Sequence, residues 1–382
     1  MLRFWQPNCR SSPPWPGTIW PMHTSSWGVE VMVQACAPGK VILMGEHAVL
    51  HGCPALAMAV GLHCCARVHL RQDQQIHVNS PALGLSGDYH REALLRYTQQ
   101  VREAWARYRQ APQQQHFAQV RGNDADHLLK CALGESLASF TQKGCRGLDL
   151  TLRSELPINA GFGSSAALAV CIPAALASLY KRRTTVSDLQ TLAMTIERYQ
   201  HGQPSGIDHT TALLGSIIEM RPGNRGEPCV IPLPAGTAAL HLAGAQLYHT
   251  GSARESTGEV IAGTWDKLTG RNNPLLEAMR RTLAQFIQLL RTPRADHGQL
   301  LRLIRDYQQA LERLGVVPES ICQTVRAVER AGGAAKLCGA GTLSGEGAGC
   351  LLVFPPTALI DELAAYRRID AILAAPGLQV TV

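Results

Sequence analysis

Pro157-Ile158-Asn159-Ala160-Gly161-Phe162-Gly163-Ser164-Ser165-Ala166-Ala167 is the stretch on which the reading of this chain turns. An alternating strand-like segment, 148–153, runs into it, and an apolar segment from Ala166 to Tyr180 runs out of it as a buried helix. Pro173 inside that helix predicts a kink or a short break. The loop therefore lies at a helix N-terminus, where free N–H groups and the helix dipole favour an anion. Its glycines let a ligand approach the backbone, and its two serines offer hydroxyls to phosphate or to a metal ion. Two other readings stand beside this one. In the first, the segment is a plain strand-to-helix turn with Ser164 as N-cap. In the second, Gly161-x-Gly163-x-x-Ala166 is a dinucleotide fingerprint; Asp188, the next acid, does not end a clear second strand as that motif requires. No Walker A sequence occurs in the chain.

With 382 residues, 46% of them hydrophobic and 17% charged, the chain has material for two globular domains. No apolar run reaches membrane-spanning length, so a soluble, cytoplasmic protein with no membrane partner is expected. The net charge of +7 is carried by scattered basic residues. That pattern suits a solvated surface or an attraction for small anions, and no nucleic-acid partner is expected. The 12 cysteines are dispersed without a CxxC pair, which predicts reduced, mostly buried thiols. Cys64 and Cys65 read as core.

Residues 1–28 hold four of the six tryptophans, with Pro7, Pro13, Pro14 and Pro16, and lack strand or helix periodicity. They read as a disordered tail or a mis-assigned start, with Met22 as the alternative start. A strand over 29–33 leads into Ala37-Pro38-Gly39-Lys40-Val-Ile-Leu-Met44-Gly45-Glu46-His47-Ala-Val-Leu50-His51-Gly52, where Lys40, Glu46 and His47 flank a short apolar run. Charged groups beside a core have partners or a job, unless the segment is an exposed turn. Strands over 55–70 and 75–79 and a helical, polar region over 88–143 follow. A helix from Ser187 to Gly202, with Ser187 and Gln190 as capping box, carries Glu197 near its end. The turn Gln203-Pro204-Ser205-Gly206-Ile207 then delivers Asp208. The two acids can face one site, or be a helix-surface Glu and a capping Asp. A Pro/Gly/Arg/Asn-rich stretch at 221–226 divides the chain into domains 29–222 and 223–382. The second half opens with strands over 229–233 and 239–248, continues through helices over 276–290, 300–314 and 320–331, and reaches a second glycine-rich segment, 336–350. A last helix over 358–373 and a strand over 378–382 complete an α+β arrangement.

Three segments in this order resemble the GHMP kinase family: 37–52, the loop 157–167, and Cys338-Gly339-Ala340-Gly341. Glu197-Arg…His201-Gly-Gln-Pro-Ser-Gly-Ile-Asp208 is similar to the family's mevalonate-phosphorylating members, as is the first segment. The resemblance covers about residue 30 to the end. It implies an N-terminal nucleotide-binding domain and a C-terminal ferredoxin-like α/β domain.

The resemblance also implies ATP-dependent phosphorylation of the primary hydroxyl of mevalonate, with ATP and Mg²⁺ as cofactors and with room for a homodimer. Asp208 is then the base and Lys40 its neighbour. Pro157, Ala160, Gly161, Phe162, Gly163, Ser164, Ser165 and Ala166 bind the nucleotide. Glu197 with Ser164 or Ser165 holds the metal. Glu46, His47, Thr257, Gly339 and Ala340 join Lys40 and Asp208 around the acceptor, and Thr250 lines the site from the second domain. Three departures from the family pattern are visible: Phe162 for leucine, Met44 for histidine, and Thr342-Leu343-Ser344 interrupting the third glycine run. A sugar or phosphomevalonate kinase, and a non-catalytic nucleotide-binding regulator, are the alternatives.

Overall fold

Strand β2 (Ala55–Leu70) is the spine of the computed structural model, which describes residues 31–382 apart from 143, 158–159, 224–227, 235, 237–239, 271, 295 and 357–358. Along its whole length β2 pairs antiparallel with β1 (Met32–Met44). On its other edge it is shared: its second half pairs with β5 (Leu148–Ser154) and its first half with β6 (Ile217–Arg221). β3 (Gln75–Ser80) and β4 (Leu85–His90) extend the sheet beyond β5. β7 (Cys229–Pro232) pairs with β6, and β12 (Gln379–Thr381) with β1, completing eight strands. The division drawn at 222/223 thus falls between two strands that pair with each other, and the last strand of the chain also returns to this sheet. The expected Trp/Pro-rich tail lies outside the described residues.

Helices α1 (Arg91–Gln110), α2 (Gln114–Arg121), α3 (His127–Phe140), α4 (Ser164–Leu179), α5 (Val186–His201) and α6 (Ile207–Leu214) accompany this sheet. All residues of α4 except Ser164, Ser165 and Ser178 are buried, as expected of a helix apolar on every side. It runs through Pro173 without a break, where the sequence predicted a kink or a short break. Burial on all sides holds the turn together where a proline removes one hydrogen bond. The cap of α5 lies two residues earlier than predicted, because Thr185 and Asp188 form the capping box in place of Ser187 and Gln190.

The second sheet has four antiparallel strands in the order β11-β8-β10-β9: β8 (Gln246–His249), β9 (Ala334–Cys338), β10 (Cys350–Phe354) and β11 (Arg367–Ile369). In chain order that is 4-1-3-2, the ferredoxin-like arrangement. Helices α7 (Thr257–Leu268), α8 (Pro274–Arg291), α9 (His297–Leu314) and α10 (Glu319–Arg330) lie between β8 and β9. The last helix predicted over 358–373 is instead a 3-10 turn, Asp361–Ala365, followed by β11. One cysteine expectation also fails: Cys36 and Cys65 stand opposite each other across β1 and β2 and form a disulfide.

Candidate active site

Gly39 and Lys40 lie in β1, pressed against the loop before α4. Lys40 N–H donates to Phe162 O at 2.9 Å. A Cβ on Gly39 would sit 2.3 Å from Leu156 Cδ2 and 2.8 Å from Phe162 O, so only glycine allows this approach. Phe162 is buried, and its ring stands in the core where the family pattern has leucine. Gly163, at φ 72, is the N-cap of α4 and makes no side-chain cap. Ser164 is therefore not the N-cap but the first helical residue. The first-turn N–H groups face outward without a capping side chain, which is the arrangement that takes an anion.

The Lys40 stem passes over Gly163, its Cγ 3.0 Å from where a Cβ would stand, and carries Nζ to 3.2 Å from Asp208 Oδ2. Lys40 is 6% exposed. Asp208 is in the first turn of α6, behind Gly206 in the left-handed region. From α5, Glu197 is 2% exposed and its Oε1 has no hydrogen-bond partner. Burial, and next the negative charge of Asp208, push its carboxyl up to about 8, against the pull of Ser165 and Lys40. One turn on, His201 Nε2 is 3.0 Å from Ser165 Oγ and 3.9 Å from Glu197 Oε1. Desolvation among its neighbours lowers the His201 pKa, although 46% of the side chain is exposed. Of the two serines, Ser165 is the one tied to this group. The sequence placed Glu197 and Asp208 but gave His201 no role; its i+4 spacing from Glu197 was the available signal.

The first and third motifs meet across the two sheets. Glu46 is 3% exposed and pairs with Lys336, itself fully buried in β9. Gly339 N–H lies 3.4 Å from Glu46 Oε1. Tyr307 donates its hydroxyl to Glu46 O and accepts from Gly45 N–H, both at 3.1 Å. His47, at φ 57, has Nε2 at 2.9 Å from Ala340 O and Nδ1 at 3.3 Å from Thr264 Oγ1, and burial lowers its pKa. Glu46 Oε1 and both ring nitrogens of His47 thus face protein partners, while Glu46 Oε2 is buried without a hydrogen-bond partner among the described residues. Lys336 and Tyr307 were missed by sequence reasoning, although a lysine in the otherwise apolar strand 334–338 was a sign of a buried partner.

The remaining expected residues separate. Thr250 Oγ1 donates to Gly349 O at 3.0 Å and accepts from Ala348 N–H at 3.2 Å, which fixes the returning glycine segment. Thr257 is exposed at the start of α7, and no hydrogen bond among the described residues joins it to Lys40 or Asp208. Gly339, at φ 100, and Ala340 follow Cys338, whose carbonyl is 3.9 Å from the Cβ position of Gly161. The third motif therefore abuts the loop 160–163. Pro157 precedes that loop, half-buried. A cavity of about 430 Å³ lined by Trp105, Tyr108, Arg198 and Pro204, among others, includes none of the residues gathered here.

The unpartnered Glu197 oxygen beside the Ser165 hydroxyl fits a divalent cation. No cluster of three or more His, Cys, Asp or Glu that could hold a metal occurs among the described residues. A cation here would complete its shell with phosphate and water oxygens, as Mg²⁺ does. A phosphate-accepting helix end, a Lys–Asp pair and a carboxylate–hydroxyl pair can together transfer a phosphoryl group to an alcohol.

Residues 127–216 match the GHMP kinases N terminal domain. The mevalonate kinase of Thermococcus sibiricus is 25% identical over 334 residues, which cover 85% of this chain and 89% of that protein. The human mevalonate kinase is 28% identical over 354 residues, 84% of this chain and 85% of that protein. A crystal structure of a mevalonate kinase superimposes with a TM-score of 0.71 at 19% identity, covering 90% of this chain and 99% of the other, a likeness of fold. Motif order, fold and these relatives make the chain similar to the GHMP kinases and, among them, to the mevalonate kinases.

Proposed function

We propose that the chain phosphorylates the primary hydroxyl of mevalonate from ATP, giving 5-phosphomevalonate. The observation that carries this reading is the Lys40–Asp208 pair at 3.2 Å beside the uncapped N-terminus of α4. The backbone of 160–166 holds the ATP phosphates. Asp208 accepts the proton of the hydroxyl as its oxygen bonds to the γ-phosphorus and the bond from that phosphorus to the β,γ-bridging oxygen breaks. Lys40 orients Asp208 and offsets charge on the transferring group. Glu197 and Ser165 would hold Mg²⁺, which would supply positive charge to offset that of the phosphates. His201 orients the Ser165 hydroxyl.

Residues 29–222 supply the nucleotide and base, and 223–382 close the site through Gly339 and Ala340. Glu46 and His47 shape the acceptor end through Lys336 and Ala340 rather than as free charges. The enzyme works in the cytoplasm, with small-molecule partners only, as a homodimer. No helix among the described residues is long and apolar enough to cross a membrane.

ADP release with mevalonate, phosphomevalonate and a panel of sugars tests the substrate, and phosphorus NMR of the product tests the position. A phosphate monoester at C5 is expected. Turnover with a sugar alone, or a tertiary phosphate, overturns the reading.

A further inference from the structure

The interruption of the third glycine motif by Thr342, Leu343 and Ser344 has no role in the chemistry above. Both ends of the segment stand at the site. At one end Ala340 O meets His47 Nε2, and at the other a Cβ on Gly349 would be 3.1 Å from Ala160 O of the phosphate loop. The middle is fastened elsewhere. The Glu255 carboxylate accepts hydrogen bonds from the Thr342 hydroxyl, from Ser344 Oγ at 2.5 Å and from Leu343 N–H at 3.3 Å. Leu343, 41% exposed, lies across α7 at Gly263, where a Cβ would be 2.5 Å from Leu343 Cδ1. Glu346 accepts from Ser320 Oγ at 2.9 Å, at the start of α10. A run with glycines at 339, 341, 345, 347 and 349 has little stiffness of its own. Its path is therefore set by these fastenings, of which the charge-assisted bonds to Glu255 are the strongest.

We propose that residues 342–346 are a strap across the acceptor end of the site, and that Glu255 is the positioning residue that sets how large an acceptor the strap admits. This rests on the kinase reading above. The hydroxyls of Ser344 and Thr342 hold the Glu255 carboxyl down to about 2, so the strap stays fastened across the working pH range and is not a pH switch.

The test compares wild type with Glu255→Ala, Glu255→Gln and Leu343→Ala. None of these residues is in the core, so the variants are expected to fold. With Glu255→Ala, KM for the acceptor should rise on the order of tenfold, while KM for ATP stays within about twofold. Alcohols bulkier than mevalonate should gain relative kcat/KM. Glu255→Gln, which keeps one acceptor oxygen, should fall between, and Leu343→Ala should move the same way. Hydrogen exchange over 339–349 should quicken in Glu255→Ala. Unchanged acceptor KM, equal rises in both KM values, or unchanged exchange overturns the proposal. If wild type uses another acceptor, the mevalonate reading fails while the same KM comparison on that acceptor still decides the strap. If no acceptor turns over, the exchange measurement decides it.

Discussion

Lys40 and Asp208 come from a strand and a helix start far apart in the chain, and their charged atoms stand 3.2 Å apart beside the glycine- and serine-rich loop before α4. Asp208→Asn should leave ATP binding nearly intact and lower turnover by about 10²–10⁴-fold, the span of general-base contributions. Nucleotide titration alongside steady-state kinetics reads both. Near wild-type turnover would remove Asp208 from the chemistry.

Glu197 gives a pH signature. Its folded carboxyl sits at about 8 against an ordinary 4.5, so the folded state binds the extra proton. The stability this contributes is complete below pH 4.5 and is lost as pH rises through about 8. Without metal, the Tm of wild type should therefore fall relative to Glu197→Gln across that window. A constant Tm difference would mean that burial does not shift this acid. In activity, Glu197→Gln should show a raised Mg²⁺ requirement, since an amide brings no charge to the cation.

The Lys336–Glu46 pair is buried on both sides. Lys336→Met should destabilise by about 3–5 kcal/mol, because it strands a buried carboxylate. Lys336→Met with Glu46→Leu should recover much of that loss. Denaturant unfolding of the two variants checks it, and equal losses would show that packing rather than charge is at stake.

Gly39→Ala should reduce nucleotide affinity more than its small size suggests. The added methyl meets the Phe162 carbonyl at 2.8 Å, so either β1 or the phosphate loop must move. Normal ATP affinity in this variant would show that the junction has slack.

Local rules carried much of this protein. The strand Ala55–Leu70, the helix ending at Gly202 and the amphipathic helices before Gly315 and Gly332 follow from periodicity and end signals, which depend only on near neighbours. The loop 157–167 was legible for the same reason: glycine and serine between a strand and an apolar helix have few other uses. Capping was misplaced by two residues at α5 because Thr185-Asp188 and Ser187-Gln190 both satisfy the pattern, and only packing chooses. The partners of Glu46, the tie of Ser165 to His201, the Cys36–Cys65 bridge and the return of β7 and β12 to the first sheet were not legible. Each joins segments whose separation in sequence is unrelated to their separation in space. Sequence by itself determined most of the elements, the glycine- and serine-rich loop at a helix start, and the residue types available for catalysis. The tertiary structure decided which charges are paired, which carboxylates keep an unpaired oxygen and where the interrupted glycine run is fastened, because burial and long-range pairing exist only once both sheets have packed.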